Sequence, residues 1–192
     1  DRIEAGGIHD DVEIEIAIGG REAGVRHPDD RCLADVDQVH VGDALPELSV
    51  EVTATTVVLG ALATRDWRPM HHDYKFATER NGTKDIFLNT PNQAAWFERY
   101  LTDWTGPHGR LGTVTFRMKD SVFPDDTMVF RGEVTAVATD DHGCGWVGVE
   151  VTLTVDDRVM TTGSAKIAVP VDADDNPWAR GPETWKPGDW KA

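Results

Sequence analysis

Residues 61–77 bring together the side chains best suited to proton transfer. Asp66 comes first, His71 and His72 follow, and Asp73 comes directly after them. A carboxylate and an imidazole held in an apolar cleft can share proton transfer near neutral pH, and burial shifts their pKa values toward the working range. The segment therefore indicates an acid–base site, although a structural hydrogen bond in a loop would use the same residue types.

A metal site is not expected here. Adjacent histidines rarely converge on one ion, and the sequence contains no further cluster of ligands. The two cysteines, Cys32 and Cys144, lie far apart and form no CxxC pair. A disulfide framework or a cysteine zinc site is therefore not expected, and a reducing cytoplasm is the expected compartment.

The elements that must position this segment lie on both sides of it. Upstream, a β-branched run at 50–58 predicts a strand that leads into a short helix around 56–64. Residues 65–88 are interpreted as polar and irregular. The central helix comes next: Thr90 is the expected N-cap, with Pro91 at the first helical position and a capping box completed by Gln93. Gly106-Pro107 should end this helix, and its apolar stripe consists of Ala94, Phe97, Leu101 and Trp104.

Four strands are predicted after this helix, at 111–119, 127–138, 145–156 and 158–169. Val, Thr and Phe are abundant in them, and Asp-rich turns separate them. Consecutive strands with short turns form an antiparallel sheet, and one long helix before them indicates an α+β layer with the sheet wrapped around the helix. Periodicity alone does not separate this arrangement from other α+β folds.

The predicted domain spans residues 41–170, with an N-terminal arm of uncertain fold at 1–40 and a tail at 171–192. Within the arm, residues 12–16 alternate apolar and charged side chains, which predicts a half-buried strand, and residues 26–30 are interpreted as a linker. We expect the tail to pack on the body or on a partner chain, with a mobile terminus as the alternative, because it contains Trp178, Trp185 and Trp190.

The charge balance limits the partners. The chain has 19 basic and 34 acidic residues, a net charge of −15. Such a chain should repel nucleic acid and anionic membrane surfaces, and no apolar run approaches the roughly 18 residues that span a bilayer.

The residues around Asp66 resemble the signature of MaoC-like and (R)-specific enoyl-CoA hydratases, which is Asp-x-Asn-Pro-(Ile/Leu/Val)-His-x-Asp with a later Ala. The matching positions are Asp66, Pro69, Met70, His71, Asp73 and Ala77. The stretches 61–66, 71–73, 84–89 and 99–104 are similar to the small subunit of bacterial steroid side-chain enoyl-CoA dehydratases. The resemblance covers roughly residues 41–169 and implies a hotdog fold, an antiparallel sheet around a central helix.

The resemblance also implies the roles of the site residues. Asp66 and His71 would orient and deprotonate a water that attacks Cβ of a trans-2-enoyl thioester. The family places a glycine eighteen residues after the catalytic histidine, and its N–H stabilises the thioester oxyanion. Asn89 stands at that position here, and its backbone can still donate. No metal or redox cofactor is implied, and CoA enters as part of the substrate.

One departure from the family and a local charge excess bear on substrate binding. The Asn before Pro is Arg68 here, and we expect it to face substrate or a partner chain. Residues 65–84 contain five basic against three acidic side chains, so basic groups near the site can meet the CoA phosphates. The predicted substrate-binding residues are Arg65, Trp67, Arg68, Asp73 and Lys84. Of these, Asp73 is expected to fix the loop rather than to transfer a proton, and the arginines have ordinary surface charges as their alternative.

The preferred function is hydration of an enoyl-CoA, or dehydration of a 3-hydroxyacyl-CoA, with a bulky, steroid-like acyl chain by resemblance. A hotdog acyl-CoA thioesterase is the first alternative, and Glu98 in the pocket with Asp66 outside it would favour that enzyme. A non-catalytic subunit of a heteromeric hydratase is the second. A homodimer, or a heteromer with a second MaoC-like chain, is expected because hotdog domains pair through their sheets.

Overall fold

The computed structural model describes residues 13–17 and 36–188 of the chain. Within these ranges, six strands form one antiparallel sheet in the order β1-β3-β6-β5-β4-β2. The strands are β1 Glu13–Ala17, β2 Leu48–Glu51, β3 Arg110–Met118, β4 Thr127–Thr139, β5 Gly145–Val155 and β6 Arg158–Val169. The helices are α1 Ala54–Ala63, α2 Tyr74–Glu79 and α3 Thr90–Thr105. The four strands predicted after the central helix are confirmed.

The sheet curves around α3, and aromatic packing shows this directly. In a flat sheet, three spacings of about 4.8 Å would separate β3 from β4, yet one ring contacts both strands. Phe97 of α3 lies 5.6 Å from the ring of Phe116 on β3 and 5.3 Å from the ring of Phe130 on β4. Gly163 on β6 makes room for it, because a Cβ there would lie 3.0 Å from the Phe97 ring. The predicted α+β arrangement is confirmed.

The buried face of α3 differs in part from the predicted stripe. Phe97 and Leu101 are buried as predicted, whereas Ala94 and Trp104 are only partly buried. The remaining buried positions include polar side chains, namely Asn92, Gln93, Tyr100 and Thr105. The Gln93 amide oxygen accepts a hydrogen bond from the Thr161 hydroxyl at 2.5 Å, which satisfies this oxygen inside the core.

Three local predictions are wrong, and side-chain capping explains each. The strand predicted at 50–58 ends at Glu51, because Thr53 and Thr56 form a capping box that starts α1. Residues 65–88 contain a 3₁₀ turn and α2, which Asp73 caps by accepting the Phe76 N–H at 3.0 Å. The N-cap of α3 is Asn89 rather than Thr90.

The arm and the tail both contact the body where they are described. Residues 13–17 form β1 and pair with β3 at the edge of the sheet, whereas the linker predicted at 26–30 and Cys32 lie outside the described residues. In the tail, the Trp185 ring lies 5.1 Å from the Trp146 ring, and the Arg110 guanidinium lies 3.6 Å from the Trp185 ring. The prediction that the tail packs back is confirmed for residues 171–188, and Trp190 lies outside the described range.

Candidate active site

Asp66 is positioned by the C-terminal end of α1. Arg65 takes a positive φ of 56°, which turns the chain out of the helix. The Asp66 N–H then donates to the Ala61 carbonyl at 2.9 Å, which ties the backbone of the acid to the last turn of α1. The Asp66 side chain is only 10% exposed.

His71 is positioned by the 3₁₀ turn Pro69–His71 and by a carbonyl from a distant segment. The residue is 1% exposed, and its Nδ1 lies 2.8 Å from the Phe87 carbonyl oxygen. Because a carbonyl oxygen only accepts, Nδ1 must carry the proton and Nε2 must present a lone pair in the neutral ring. Nε2 lies 3.5 Å from Oδ2 of Asp66 and has no hydrogen-bond partner among the described residues.

Arg68 binds the Asp66 carboxylate through both oxygens. Its Nε donates to Oδ1 at 2.9 Å, and one terminal nitrogen donates to Oδ2 at 2.8 Å. This guanidinium, chiefly, holds the pKa of Asp66 well below its usual range, with the Asn89 amide and His71 acting in the same direction and burial opposing them. Asp66 is therefore an anion at neutral pH.

The pKa of His71 is also lowered, for a different reason. Burial disfavours the charged ring and is the largest cause, whereas the Phe87 carbonyl and the Asp66 carboxylate oppose it. The imidazole is therefore neutral at pH 7 and able to accept a proton at Nε2. An ionised carboxylate and a neutral imidazole thus face one another next to Asn89, the residue that caps the start of α3.

Asn89 joins this pair to the start of α3. Its Oδ1 caps the helix by accepting the Asn92 N–H at 3.2 Å, and its Nδ2 donates to Asp66 Oδ2 at 3.0 Å and to the Thr64 hydroxyl oxygen at 2.8 Å. The resemblance implies a role only for the backbone N–H of Asn89, as the donor to the thioester oxyanion. That N–H makes no hydrogen bond within the described part of the chain and lies at the positive end of the helix dipole.

Of the five predicted substrate-binding residues, Arg68 is the one with hydrogen bonds to the pair within the described part of the chain. Arg65 is exposed. Trp67, which follows Asp66 in the sequence, is 66% exposed. Lys84 pairs with Asp126 at 3.4 Å and lies 4.4 Å above the Phe123 ring. Arg68 contacts Asp66, and Asp73 caps α2, which matches the loop-fixing role expected of it. Binding of substrate by any of them stays a prediction.

Sequence reasoning missed two contributors to the site. One is Thr64, which accepts from Asn89 while donating to the Gly60 carbonyl at 2.8 Å. The other is the Phe87 carbonyl, which sets the tautomer of His71. Thr64 lies two residues before Asp66 within the segment 61–77, so its polar side chain at a helix end was a usable signal. No sequence signal identifies a carbonyl sixteen residues from its partner.

Other features of the described residues do not compete as a site. A groove of about 470 Å³ lies across β3, β6 and β5, but it is lined by residues such as Thr115, Glu150 and Ser164 and contains none of the predicted site residues. The candidate site therefore lies at Asp66 and His71 rather than in this groove, because there an ionised carboxylate lies beside a buried, neutral imidazole. In residues 13–17 and 36–188, no three His, Cys, Asp or Glu side chains are grouped to hold a metal ion, and no helix is long and apolar enough to cross a membrane.

Comparison with known proteins identifies the family. No family model matches the chain. The chain is 42% identical over 97 residues to the 3-oxo-4,17-pregnadiene-20-carboxyl-CoA hydratase beta subunit of Mycobacterium tuberculosis, a match that covers 50% of this chain and 74% of that protein. A chain of the ChsH1-ChsH2 complex from Mycobacterium tuberculosis is 33% identical, with a TM-score of 0.62, and the match covers 68% of this chain and 98% of that one.

A MaoC-like dehydratase from Rhodospirillum rubrum shares the fold at 18% identity, with a TM-score of 0.62 and coverage of 70% of this chain and 95% of that one. The chain therefore belongs to the MaoC-like enoyl-CoA hydratase family. Its fold is the hotdog fold that the resemblance implied.

Proposed function

We propose that this chain catalyses the addition of water to a trans-2-enoyl-CoA and the reverse dehydration of the 3-hydroxyacyl-CoA. The observation that carries the proposal is the pairing of a neutral imidazole that has a free lone pair with an ionised carboxylate. His71 Nε2 has no hydrogen-bond partner among the described residues and lies 3.5 Å from Asp66 Oδ2. A water molecule can donate one O–H to this nitrogen, and the Asp66 anion beside it stabilises the positive charge that the ring then gains.

The proposed chemistry uses groups that the chain itself provides. His71 Nε2 accepts a proton from the water as its oxygen bonds to Cβ, and the Asp66 anion stabilises the imidazolium that forms. The electron pair of the double bond moves toward the thioester carbonyl, where the Asn89 N–H stabilises the enolate oxygen. The imidazolium of His71 then gives its Nε2 proton to Cα as the enolate returns to the thioester, so that water has been added across the double bond and His71 ends neutral.

The proposed substrate is a CoA thioester with a bulky, steroid-like acyl group. The support is the relative from Mycobacterium tuberculosis, whose name specifies a pregnadiene-carboxyl-CoA. The exposed basic side chains of Arg65 and Lys84 are the groups proposed to meet the phosphates of CoA. Four large apolar side chains between residues 59 and 74 are also exposed, namely Leu59, Leu62, Trp67 and Tyr74.

We propose that the working unit is an oligomer, either a homodimer or a heteromer with a second MaoC-like chain. The relatives support a heteromer, since one is named as a beta subunit and another was solved as a complex of two chains. Sedimentation analysis of the chain, alone and mixed with a candidate partner, tests this. A strictly monomeric species in both samples at micromolar concentration would contradict it.

A thioesterase is the second candidate, and the position of the acids disfavours it. Glu98 is exposed on α3, whereas the Asp66 side chain is nearly buried beside His71. The two reactions separate in one assay on a panel from crotonyl-CoA to a steroid side-chain enoyl-CoA, with and without the partner chain. Loss of enoyl absorbance without release of free CoA thiol supports the hydratase. Thiol release supports the thioesterase, and neither change on any substrate supports a non-catalytic subunit.

A further inference from the structure

The Asp66 carboxylate is saturated with hydrogen-bond donors. A carboxylate has about four lone-pair positions. At Oδ1, they are occupied by the Arg68 Nε at 2.9 Å and the Arg68 backbone N–H at 3.3 Å. At Oδ2, they are occupied by a terminal nitrogen of Arg68 at 2.8 Å and by the Asn89 amide at 3.0 Å. Three of these four donors belong to Arg68.

His71 is in the opposite state. Its Nδ1 is fixed by the Phe87 carbonyl, but its buried Nε2 has no partner within the described residues. A buried acceptor without a hydrogen bond carries a desolvation penalty, which a donor from the substrate side would relieve. Of the two groups, only the imidazole therefore retains a free lone pair.

We propose that Arg68 is a positioning residue that acts through Asp66: its guanidinium fixes the carboxylate as a permanent anion and leaves His71 as the only member of the pair that exchanges a proton. This inference rests on the proposed function and assigns Arg68 a different role from the substrate contact expected from the sequence. A planar guanidinium suits this task because it binds both oxygens of a carboxylate at once. The neutral Asn that the family has at this position would supply no charge.

The charges around the pair are few, so their effects can be separated. The loop after α1 contributes Asp66 and Arg68, and the next turn contributes His71 and the exposed His72. The start of α3 contributes only the neutral Asn89 amide. The Arg68 cation lowers the pKa of Asp66 and also that of His71, and His72 lowers the latter further. Removing the cation must therefore raise the pKa of both members of the pair.

The alternative is that Arg68 binds an anionic part of the substrate, because its side chain is 61% exposed. The two roles predict different kinetics. A substrate contact changes KM and leaves the pH dependence of kcat in place, whereas a residue that acts through Asp66 shifts the acidic limb of kcat.

The test compares Arg68→Gln with wild type in the full chain together with its partner chain. Arg99→Gln serves as the control, because it removes the same charge from an exposed pair with Asp103 on α3. For Arg68→Gln we expect the acidic limb of kcat, which follows protonation of His71, to move to higher pH with little change in KM, because the cation that helps to lower the pKa of His71 is removed. Arg99→Gln should leave both unchanged. A limb that stays in place while KM rises would overturn the proposal.

A second measurement does not depend on activity. In NMR spectra at neutral pH, the Arg68 Nε–H should be protected from exchange in wild type and exchange rapidly in Asp66→Ala. Equal exchange in the two proteins would show that the guanidinium does not hold the carboxylate, and would overturn the proposal. Protection in a wild-type enzyme that hydrates no enoyl-CoA would instead reject the proposed function and, with it, the role of His71.

Discussion

Substitution of Asn89 separates two tasks that one side chain performs. Its Oδ1 caps α3 through the Asn92 N–H, and its Nδ2 donates to Asp66. Asn89→Ala removes both contacts. Asn89→Ser keeps a side-chain oxygen that can cap the helix but has no group that reaches Asp66 in place of the amide. The backbone N–H is present in both variants.

The magnitudes follow from these contacts. Replacing an Asn N-cap with Ala costs about 1 kcal/mol, so Asn89→Ala should be less stable than Asn89→Ser by that amount. In a chain of this size, this corresponds to a difference in Tm of about 2–4 °C. Both variants lose a charge-assisted hydrogen bond to the acid. Because Arg68 still holds the carboxylate, we expect kcat to fall about tenfold in each, equivalent to about 1.4 kcal/mol.

The assay is thermal unfolding of the three proteins together with kcat for enoyl-CoA hydration. Thr90→Ala is the matched control. It removes the cap predicted from sequence, and it should change stability by no more than about 0.5 kcal/mol, because Asn89 is the observed cap. Equal Tm values for the Ser and Ala variants would refute the capping argument. A wild-type kcat in both would refute the link between Asn89 and Asp66.

Three further predictions concern the tail, the packing of α1 and the titration of the site. Trp185→Ala should lower Tm more than Trp178→Ala in thermal melts, because Trp185 packs on a buried indole whereas Trp178 is 43% exposed; an equal loss would contradict this. Gly60→Ala, normally stabilising in a helix by about 1 kcal/mol, should destabilise because the new Cβ would lie 1.8 Å from the Asn92 amide, and Asn92→Ala in the same chain should restore Tm. Burial lowers the pKa of His71, so its contribution to stability is present above its unfolded pKa of about 6.5 and is lost as pH falls below it. His71→Gln should therefore lose less stability than wild type between about pH 6.5 and 5, and parallel melting curves across that range would contradict this.

Much of the fold is predictable because local and global preferences agree. The strands after α3 combine β-branched residues with Asp-containing turns at every break, and Asp156 and Asp157 both take the positive φ that such a turn requires. The central helix is marked by its apolar spacing and by Gly106, whose φ is 67°. Each of these signals lies within a few residues of the element it specifies.

The boundaries that sequence reasoning missed are places where two residues compete for one role. Asn89 and Thr90 are both favourable N-cap residues. The contact of the Asn89 amide with Asp66 explains why Asn89 is the cap of α3. Val and Thr at 50–58 suit a strand, but the Thr53 capping box starts a helix within that run. Local propensity is a weak prior that such contacts override.

The resemblance to the hydratase signature predicted that Asp66 and His71 form a pair, but it did not predict their electrostatics. The spacing of Asp66 and Arg68 in the sequence does not predict that the Arg68 side chain adopts a rotamer that binds both oxygens of the Asp66 carboxylate. The tautomer of His71 depends on the Phe87 carbonyl, which reaches the ring only after the intervening chain has folded. The proposed division of roles within the pair depends on both features and therefore required the structure.

The most direct test of the account is the rate of enoyl-CoA hydration by Asp66→Asn and His71→Ala, measured in the assembled protein against wild type. We expect kcat to fall about 10²–10⁴-fold in each variant, the usual loss on removing an acid–base group, while both remain folded by circular dichroism. A folded variant of either residue that retained the wild-type kcat would show that the Asp66–His71 pair is not the catalytic centre.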